Sequence, residues 1–557
     1  MLLGLAIVGA IGLVVLAERS AEQLLFAMAA LLFTAALMLV FVADLERAVL
    51  LSCLLVIAIA GLSIVKFDHS ALKLTVSDLP LVFAGTVPFF VSQYPRMMLG
   101  VLVGSFLLAF ASAAVLFYAA GSPISFELRI LLFGLALICF ASIFAAKGAS
   151  SWRLTLSQPR CFYSSFMASL VDPASWQQFG RLTLSDIAIE PLPLRAAVPA
   201  RSTRFPDIIV IQHESVFDPR IFGLPIEPAV EAFLSPADGQ HGCLNVDIFG
   251  GGSWQSEFSL LTGLSSASFG SSAYQLFRKG AGRFHSSLTH SLASLGYQTT
   301  LMSSCRRSFL NYDEFYSSIG MNERIFIDDI PPPFDIRRFE ATNSDALFLE
   351  AVIDGYASSI ADNPATPRFL YVLTNFNHGP HDRRLVAPGQ FESERAFAMA
   401  HLPDRRYAEY YARLVETAST WQKLKLKLEK TLPERPLLVV HYGDHQPVFT
   451  NRIDRQLKLA ADARRAFQTF YAMEALNIPP EQFGSGRGPD LDIAFLGTVA
   501  LQRAGLPLDP IFSTRASLLE DCGQTYFASA SERKRRFHRT LVDMGLVDLV
   551  RNVRQAG

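Results

Sequence analysis

The fold predicted for this chain follows from the stretch Ile208-Ile209-Val210-Ile211-Gln212-His213-Glu214-Ser215. Its first half is a short apolar run of the kind that forms a strand buried on both faces of a sheet. Phe369–Leu373 and Leu437–Val440 are two further runs of this kind. Helical stretches such as Tyr407–Leu428 lie between them, so we expect an α/β domain with a mostly parallel central sheet.

The polar residues after these three strands indicate where the functional site lies. Glu214 follows the first strand, His378 comes after the second, and Asp444 and His445 come after the third. In open α/β sheets, ligands bind beyond the carboxyl ends of the strands. We therefore expect these side chains to share one site.

A further part of the site is predicted at Gly250–Phe258, whose sequence is GGGSWQSEF. Three glycines allow a tight turn and the close approach of a ligand. Ser253 follows them and opens an apolar, helix-like run, and a helix N-terminus presents N–H groups that suit a phosphate. Ser253 is thus the candidate nucleophile for attack on phosphorus. The simpler interpretation is a glycine-rich turn with a serine N-cap.

The chemistry of the predicted set is that of a metal site. Glu214, Asp444 and His445 offer two carboxylates and one imidazole, and Ser253 adds an oxygen. This mixed set favours one divalent ion, Mn²⁺ first, with Mg²⁺ or Zn²⁺ as alternatives. Such an ion would lower the pKa of the Ser253 hydroxyl. The alternative is structural: Glu214 would cap a turn, and Asp444 and His445 would form a hydrogen-bonded loop pair.

The apolar residues of the chain concentrate in its first 150 positions. About 20 apolar residues span a bilayer, so residues 1–149 are predicted to be a polytopic membrane domain of about five helices. The five runs are Leu2–Ala17, Gln23–Val42, Ala48–Val65, Met97–Ala120 and Ile130–Ala146. A sixth run, Leu79–Ser92, is interrupted by prolines and a glycine, and it is predicted to be re-entrant or interfacial.

The orientation of these spans decides where the rest of the chain lies. Five spans with the N-terminus inside, or six with it outside, both export the remainder. Arg47 is the only basic residue of the first inner loop in the five-span arrangement, while Lys66, Lys73 and Arg96 fall outside, which slightly favours six. We expect a multi-pass protein of the inner or cytoplasmic membrane with an extracytoplasmic catalytic domain. Whether the membrane part only anchors or also handles substrate stays open.

The remaining boundaries follow from composition. Residues 150–206, rich in proline, are predicted to be a linker, 207–530 the catalytic domain, and 531–557 a C-terminal tail. A net charge of −1 gives no field for nucleic acid, so no such partner is expected. The cysteines contain no close pair of the zinc-cluster type, and the pattern leaves disulfides open.

These motifs together resemble the lipoteichoic acid synthase and phosphoglycerol transferase family, within the alkaline phosphatase/sulfatase superfamily. The resemblance covers most of the chain. It rests on Glu214-Ser215, on Ser253 with Ser256-Glu257-Phe258, on His378 and on Gly443-Asp444-His445. Lys73-Leu74 with Ser77-Asp78-Leu79 is also similar to the family's stretch before its fourth span. The resemblance implies a membrane-anchored, sulfatase-like α/β enzyme.

The resemblance also implies roles for single residues. Glu214, Asp444 and His445 would bind the metal, and His378 would contact the substrate phosphate. Ser253 would be the nucleophile, where the synthases usually have threonine. Two of those synthases' residues, a tryptophan and an arginine that contact glycerol phosphate, are replaced here by Phe309–Tyr312. Arg306 and Arg307 are candidate substrate-binding replacements for the lost cation, and a solvated basic pair is the alternative.

The function implied is transfer of phosphoglycerol from a phospholipid head group, phosphatidylglycerol first, to an envelope glycan or polymer through a phosphoseryl intermediate. One alternative is a phosphoethanolamine transferase acting on lipid or glycan, although such enzymes usually carry several disulfides. Another is a non-catalytic membrane scaffold that kept the fold. Sulfate-ester hydrolysis is disfavoured, because the C-x-P-x-R string that sulfatases need is absent.

Overall fold

The computed structural model of the chain describes residues 2–21, 23–70, 73–78, 91, 94–118, 123–147, 160–172, 182, 184, 187–201, 205–330, 345–478 and 483–549. The chain divides into two compact units, Met1–Phe179 and Gly180–Gly557. Except for Val91, the predicted re-entrant segment Leu79–Ser92 lies outside the described residues. The predicted linker at 150–206 is described only in part, so its boundaries stay a prediction.

The described part of the first unit is helical. Its helices are α1 (Leu2–Glu18), α2 (Leu24–Val42), α3 (Leu45–Ser70), α4 (Pro95–Tyr118), α5 (Phe126–Lys147) and α6 (Phe162–Val171), with a 3₁₀ turn at Val76–Asp78. Within the described residues, the four helices from α2 to α5 are long and apolar enough to cross a membrane. The predicted first span differs, because α1 has 17 residues, fewer than the roughly 20 of a typical span.

In the first unit, α5 packs against α2 through aromatic rings, whereas α4 exposes its aromatic side chains. The ring of Phe140 stacks on Phe26 and Phe33 of α2 at 5.2 and 5.1 Å. By contrast, Phe106, Phe110 and Phe117 of α4 are 72, 67 and 82% exposed. Large apolar side chains exposed along a whole helix indicate a surface that faces lipid. The first unit therefore has the character of a membrane anchor.

Within the described residues, the second unit is built on a nine-stranded mixed sheet. Its strands are β1 (Asp207–His213), β2 (Gln240–Asn245), β3 (Gln298–Ser303), β4 (Glu323–Phe326), β5 (Arg368–Leu373), β6 (Leu437–Gly443), β7 (Gln468–Leu476), β8 (Gly486–Arg487) and β9 (Leu491–Asp492). The strand order is β4-β3-β5-β1-β6-β7-β2-β8, and β9 also pairs with β2. The predicted strands at 208, 369 and 437 are confirmed as the three adjacent, parallel strands β1, β5 and β6.

Helices cover both faces of this sheet. They are α7 (Pro228–Leu234), α8 (Ser253–Thr262), α9 (Leu276–Lys279), α10 (Leu288–Ser294), α11 (Tyr312–Ser318), α12 (Asp345–Asp362), α13 (Glu392–His401), α14 (Arg405–Thr431), α15 (Ile453–Gln456), α16 (Ile493–Arg503), α17 (Pro510–Cys522) and α18 (Glu532–Asp543). Short 3₁₀ segments lie at Pro219–Phe222, Ser266–Gln275, Ile327–Asp329, Val448–Arg452 and Arg465–Phe467.

Strand β1 shows why its sequence is continuously apolar. Ile208 and Val210 pack into one core, with α8 and α16, while Ile209 and Ile211 pack into a second core, with α12 and α14. A strand buried on both faces cannot alternate apolar and polar residues. The predicted class, apolar N-terminal helices followed by an α/β domain with a mostly parallel sheet, is confirmed.

Two features of the second unit were not predicted from the sequence. Strand β7 runs antiparallel to both of its neighbours, β6 and β2. The region predicted as a tail from residue 531 contains α18, whose Phe537 and Leu541 are buried in the core, and Val547 lies there too. The described chain is therefore folded up to residue 549. Each of the six cysteines is a free thiol.

Candidate metal and nucleophile site

The sheet brings the predicted site residues together. Strands β1 and β6 are parallel, and His213 lies opposite Gly443. Glu214 and Asp444 therefore lie next to each other, directly after the ends of these two strands. Strand β5 lies on the other side of β1 and leads into the loop that carries His378. The carboxyl ends of three neighbouring strands thus supply four of the predicted side chains.

Glu214, Asp444 and His445 form a compact, buried cluster. One ligand atom from each lies within 4.8 Å of the others. The Nε2 atom of His445 is 3.5 Å from Glu214 Oε1 and 3.5 Å from Asp444 Oδ2. None of the three is more than 4% exposed. These three side chains could together hold one divalent cation.

Ser253 lies at the edge of this cluster. Its hydroxyl donates to Glu214 Oε2 at 2.8 Å and is 3.3 Å from His445 Nε2. The N-cap of α8 is Gly252, and Ser253 is the first helical residue. The interpretation of Ser253 as the helix cap is therefore wrong.

The glycines before Ser253 have the backbone conformations that the sequence suggested. Gly250, Gly251 and Gly252 have backbone φ values of 80, 155 and 98°, which residues other than glycine rarely adopt. Gly250 N donates to the carbonyl of Gln446 at 3.0 Å, which fixes the glycine turn to the loop after β6. The turn thus places Ser253 beside the residues that follow β6.

Ser215 holds the two carboxylates in position, a role that the sequence did not reveal. Its N–H donates to Asp444 Oδ1 at 2.7 Å, and its hydroxyl donates to Glu214 Oε1 at 2.8 Å. Its φ of 57° is in the left-handed region, where a residue with a side chain is strained. The Glu-Ser pair of the family pattern was the only available signal, because a backbone conformation cannot be read from composition.

One oxygen of Asp444 has no well-formed hydrogen bond among the described residues. Oδ1 accepts N–H bonds from Ser215 and His445, at 2.7 and 2.9 Å, but Oδ2 accepts no hydrogen bond of ordinary geometry from any residue that the structure describes. Burial, together with the charge of Glu214, raises the pKa of Asp444 well above its usual range. Burying a carboxylate without a partner costs on the order of several kcal/mol of folding free energy, as does removing one partner of a buried ion pair. A bound cation would supply the missing compensation, so the residues present fit a metal.

His445 is in the state that a metal ligand needs. Burial lowers its pKa, although Glu214 acts in the opposite direction, and the net shift favours the neutral imidazole. Its Nδ1 lies 3.1 Å from the carbonyl of Gln446, and a carbonyl can only accept. The proton therefore resides on Nδ1, and the lone pair of Nε2 faces Glu214 and Asp444.

His378 lies close enough to this cluster to act on its charges. Burial acts to raise the pKa of Glu214, but His445, His378 and the hydrogen bonds from Ser215 and Ser253 together hold that pKa below its usual value. His378 also lowers the pKa of His445. Its Nδ1 is 2.6 Å from the carbonyl of Gly379 and must donate to it. The predicted phosphate-contacting histidine is thus beside the predicted ligands.

Arg306 and Arg307 lie on the loop after β3, and both are half-buried. The Arg307 guanidinium donates to Asp313 and Asp329 at 2.9 and 2.8 Å and stacks over the ring of Phe326. Its charge is therefore compensated by two carboxylates within its own surroundings. Substrate contact by either arginine stays a prediction.

Glu257 is a second residue whose importance the sequence concealed. It is buried one turn after Ser253 and accepts bonds from Tyr312 at 3.0 Å, from Gln212 at 3.2 Å and from the hydroxyl of Tyr316. Burial raises its pKa to about 7. Because Gln212 is on β1, two residues before Glu214, this carboxyl group ties the helix of Ser253 to the strand of Glu214.

Comparison with known families identifies this unit. Residues 206–469 match the family model described as Sulfatase. This part of the chain, slightly less than half of its length, is similar to the sulfatase family. The matched range includes Glu214, Ser253, His378, Asp444 and His445, and it confirms the superfamily to which the sequence motifs pointed.

Similar proteins include both an undescribed relative and solved structures. An uncharacterized protein of Haemophilus influenzae is 25% identical over 318 residues, which are 55% of this chain and 55% of the relative. The chain thus spans about half the length of that relative. The phosphoglycerol transferase GacH of Streptococcus pyogenes, in complex with sn-glycerol-1-phosphate, is 17% identical, with a TM-score of 0.46, covering 62% of this chain and 90% of GacH. The lipooligosaccharide phosphoethanolamine transferase A (EptA) of Neisseria meningitidis is 13% identical, with a TM-score of 0.49, covering 81% of this chain and 82% of EptA.

Proposed function

We propose that this protein is a membrane-anchored, metal-dependent transferase that moves phosphoglycerol from a phospholipid head group to an envelope glycan or polymer. One observation carries the proposal. A serine hydroxyl at a helix N-terminus contacts a buried cluster of two carboxylates and a neutral imidazole, at 2.8 and 3.3 Å. A nucleophile beside two buried carboxyl groups and an imidazole suits an attack that is assisted by a bound cation.

The metal would be held by Glu214, Asp444 and His445, with Ser253 Oγ or a substrate oxygen completing the coordination. Two carboxylates and one histidine favour Mn²⁺ first, and Zn²⁺ or Mg²⁺ are the alternatives. When bound, the ion lowers the pKa of the coordinated hydroxyl and stabilises negative charge on phosphoryl oxygens.

The residues around Ser253 prepare it for attack. Its proton is directed at Glu214 Oε2, which leaves the Oγ lone pairs free to approach phosphorus. The free N–H groups of the first turn of α8 and the helix dipole favour a phosphate at this position. His378, half-buried beside the cluster, would donate to a phosphoryl oxygen as negative charge develops there.

The reaction proceeds in two displacements. In the first, Ser253 Oγ forms a bond to phosphorus while the bond from phosphorus to the diacylglycerol oxygen breaks. The proton lost by the serine is balanced by the one that the departing oxygen gains, so diacylglycerol leaves. In the second, an acceptor hydroxyl forms the new bond to phosphorus, Ser253 Oγ leaves, and the acceptor's proton balances the one that the serine regains.

The transferred group is the finer part of the proposal. GacH is a phosphoglycerol transferase and EptA a phosphoethanolamine transferase, so these two groups define the probes. The loop at Phe309–Tyr312, which differs from the synthases, is used in packing: Asn311 donates to the carbonyl of Phe277 at 3.1 Å. Because the residues that contact glycerol phosphate in the synthases are replaced in this loop, phosphoethanolamine transfer is the second candidate function.

The proposed location is the inner or cytoplasmic membrane, with the sulfatase domain on the extracytoplasmic side, where lipid head groups and envelope glycans meet. A fusion of alkaline phosphatase after Gly557 should be active, and a cytoplasmic fluorescent reporter at the same place should stay dark. A bright reporter would contradict this location.

The test of the function is direct labelling. The full-length protein, purified in detergent and loaded with Mn²⁺, is incubated without acceptor with phosphatidylglycerol or phosphatidylethanolamine labelled in the head group. We expect label on the protein with the first lipid and release of diacylglycerol. Label with the second lipid alone would make the protein a phosphoethanolamine transferase. Label with neither, under metal-loaded conditions, would favour a scaffold that kept the fold.

A further inference from the structure

Arg413, on α14, is a buried arginine that serves one loop. Its side chain is fully inaccessible to solvent. One terminal nitrogen donates to the carbonyls of His378 and Phe376 at 2.8 and 3.3 Å. The other donates to the carbonyls of Arg383 and Pro380 at 2.8 and 3.2 Å. Both terminal nitrogens of the guanidinium thus donate to the loop after β5, the loop that carries His378.

Glu409, one helical turn before Arg413, extends the same support. It accepts from Arg413 Nε at 3.0 Å and from the N–H of Leu385 at 2.8 Å. A second guanidinium, that of Arg395, bonds to its other oxygen. The ion pair of Glu409 and Arg413 therefore satisfies both carbonyls and N–H groups of the loop.

The beginning of the loop is held by other buried side chains. Asp345 accepts from the N–H groups of Asn375 and Phe376 at 3.3 and 3.2 Å. Asn377 donates to Thr417 of α14 at 3.0 Å. A buried loop without regular structure must have its backbone groups paired by side chains, because an unpaired group costs free energy. Here α12 and α14 provide those partners.

We propose that Arg413 is a positioning residue for the transfer reaction, holding His378 where it meets the substrate phosphate. The proposal rests on the proposed function, which gives His378 its role. The carbonyl of His378 itself receives one of the two shortest bonds, at 2.8 Å, so a shift of the guanidinium moves the histidine backbone. Arg413 lies behind the loop, on α14, and acts through it.

Lysine should not replace this arginine. The guanidinium presents planar donors in a rigid fork, and here the fork reaches two pairs of carbonyls at once. An ammonium group is a point charge that keeps the ion pair with Glu409 but cannot span both pairs. Arg413→Lys therefore tests the fork and retains the buried charge.

The chain offers a matched control in Arg368. It is also a buried arginine, 2% exposed, and it also donates to backbone carbonyls, those of Ser359 and Asn363. It lies at the start of β5, whereas the His378 loop follows the end of that strand. Arg368→Lys thus carries a comparable structural cost at the opposite end of the strand.

The first measurement is the single-turnover rate of adduct formation on Ser253, in full-length Mn²⁺-loaded protein with phosphatidylglycerol micelles. We expect Arg413→Lys to lower this rate at least tenfold, with metal content unchanged, and Arg368→Lys to lower it less than threefold. Equal rates for the two variants would overturn the proposal. A wild-type protein that forms no adduct would instead overturn the proposed function, and the role given to His378 with it.

The second measurement asks whether Arg413 acts through His378. His378→Gln should slow adduct formation, and the double variant with Arg413→Lys should be no more than threefold slower than His378→Gln alone. Losses that multiply would show two independent effects and contradict the proposal.

The third measurement is independent of activity. Arg383 and Arg384 are exposed in the same loop, and trypsin cleaves after arginine. Cleavage there should become at least tenfold faster in Arg413→Lys and stay unchanged in Arg368→Lys. A loop that is as resistant in Arg413→Lys as in the wild type would overturn the proposal even if the rate falls.

Discussion

The two ends of β1 make an instructive comparison, because each carries a buried carboxylate. Asp207 begins the strand and Glu214 follows it, with exposures of 0 and 4%. Both take part in clusters of charged and polar groups. The clusters differ in whether the protein alone compensates their charge, and this difference separates a structural site from a binding site.

At the amino end the compensation is complete. Arg435 donates to both oxygens of Asp207 at 2.7 Å, in the bidentate geometry that suits a carboxylate. Tyr356 and the N–H of Arg368 donate at 2.6 and 2.8 Å. Nothing is left for a ligand to supply.

At the carboxyl end the compensation is incomplete. Two carboxylates, those of Glu214 and Asp444, face one neutral imidazole, and Oδ2 of Asp444 accepts no hydrogen bond of ordinary geometry. Stable proteins do not normally bury such a group for structural reasons alone. The carboxyl end of β1, at Glu214, is the end whose charge the protein does not fully compensate, and we call it the unfinished end. It is the end that we expect to bind a metal.

The largest effect is expected for the nucleophile at the unfinished end. Ser253→Ala removes the attacking oxygen, so adduct formation should fall by about 10⁴-fold or more, as for other covalent catalysts. Peptide mass spectrometry after incubation with donor lipid and no acceptor measures it. Ser256→Ala, one turn on, is the control: its hydroxyl donates to the carbonyl of Asp444 at 2.6 Å, so it should slow the reaction but keep the adduct on Ser253. An adduct that still forms in Ser253→Ala would contradict the proposal that Ser253 is the nucleophile.

At the amino end of β1, where the charge of Asp207 is fully compensated, a mutation should affect stability and not metal binding. Asp207→Asn leaves the Arg435 guanidinium facing a neutral group, and breaking a buried pair in this way costs about 3–5 kcal/mol. Urea unfolding of the detergent-solubilised protein measures the loss, and elemental analysis should show an unchanged metal content. A loss of metal without a loss of stability would reverse the roles of the two ends.

Glu257 should give the unfinished end a distinct dependence on pH. Its pKa is about 7 in the folded protein and has its usual value of 4.5 when unfolded, because burial favours the neutral form. Between these values the folded state holds the extra proton, so stability is greatest below 4.5 and falls as the pH rises to 7. Over this range, metal-free wild-type protein should lose on the order of 3 kcal/mol more than Glu257→Gln. Parallel unfolding curves for the two proteins would contradict this account.

Removing one ligand charge should weaken metal binding with little structural cost. Asp444→Asn keeps the shape of the side chain, and we expect the metal affinity to fall at least tenfold, about 1.4 kcal/mol. Because Asp444 faces Glu214 without compensation, the metal-free variant should be at least as stable as metal-free wild type. Titration calorimetry with Mn²⁺ and thermal unfolding with a chelator measure the two effects. Unchanged affinity would remove Asp444 from the site.

The contrast between the two ends also explains what the sequence could and could not predict. The strands β1, β5 and β6 were predictable because runs buried on both faces are continuously apolar. The meeting of Glu214, Asp444 and His445 followed from the rule that ligands bind at the carboxyl ends of parallel strands. Those inferences need only local pattern and general topology.

Other features depend on contacts between distant parts of the chain. The partners of Glu257 lie 45 to 59 positions from it, and those of Arg413 lie 30 or more positions away, apart from Glu409. The left-handed conformation of Ser215 and the antiparallel placement of β7 are likewise set by neighbours that no local pattern identifies. The same holds for α18, whose apolar face was hidden among basic residues.

The smallest effect is expected for a change that keeps the attacking oxygen. Ser253→Thr adds one methyl group to the residue that follows Gly252, and the resembling synthases use threonine at this position. The hydroxyl can still donate to Glu214, so we expect adduct formation to slow less than tenfold, under about 1.4 kcal/mol. The adduct should move to the substituted residue, and mass spectrometry of the same peptide detects it. If Ser253→Thr is as inactive as Ser253→Ala, the space around the hydroxyl is tighter than the family resemblance implies, and the unfinished end is built for a primary alcohol alone.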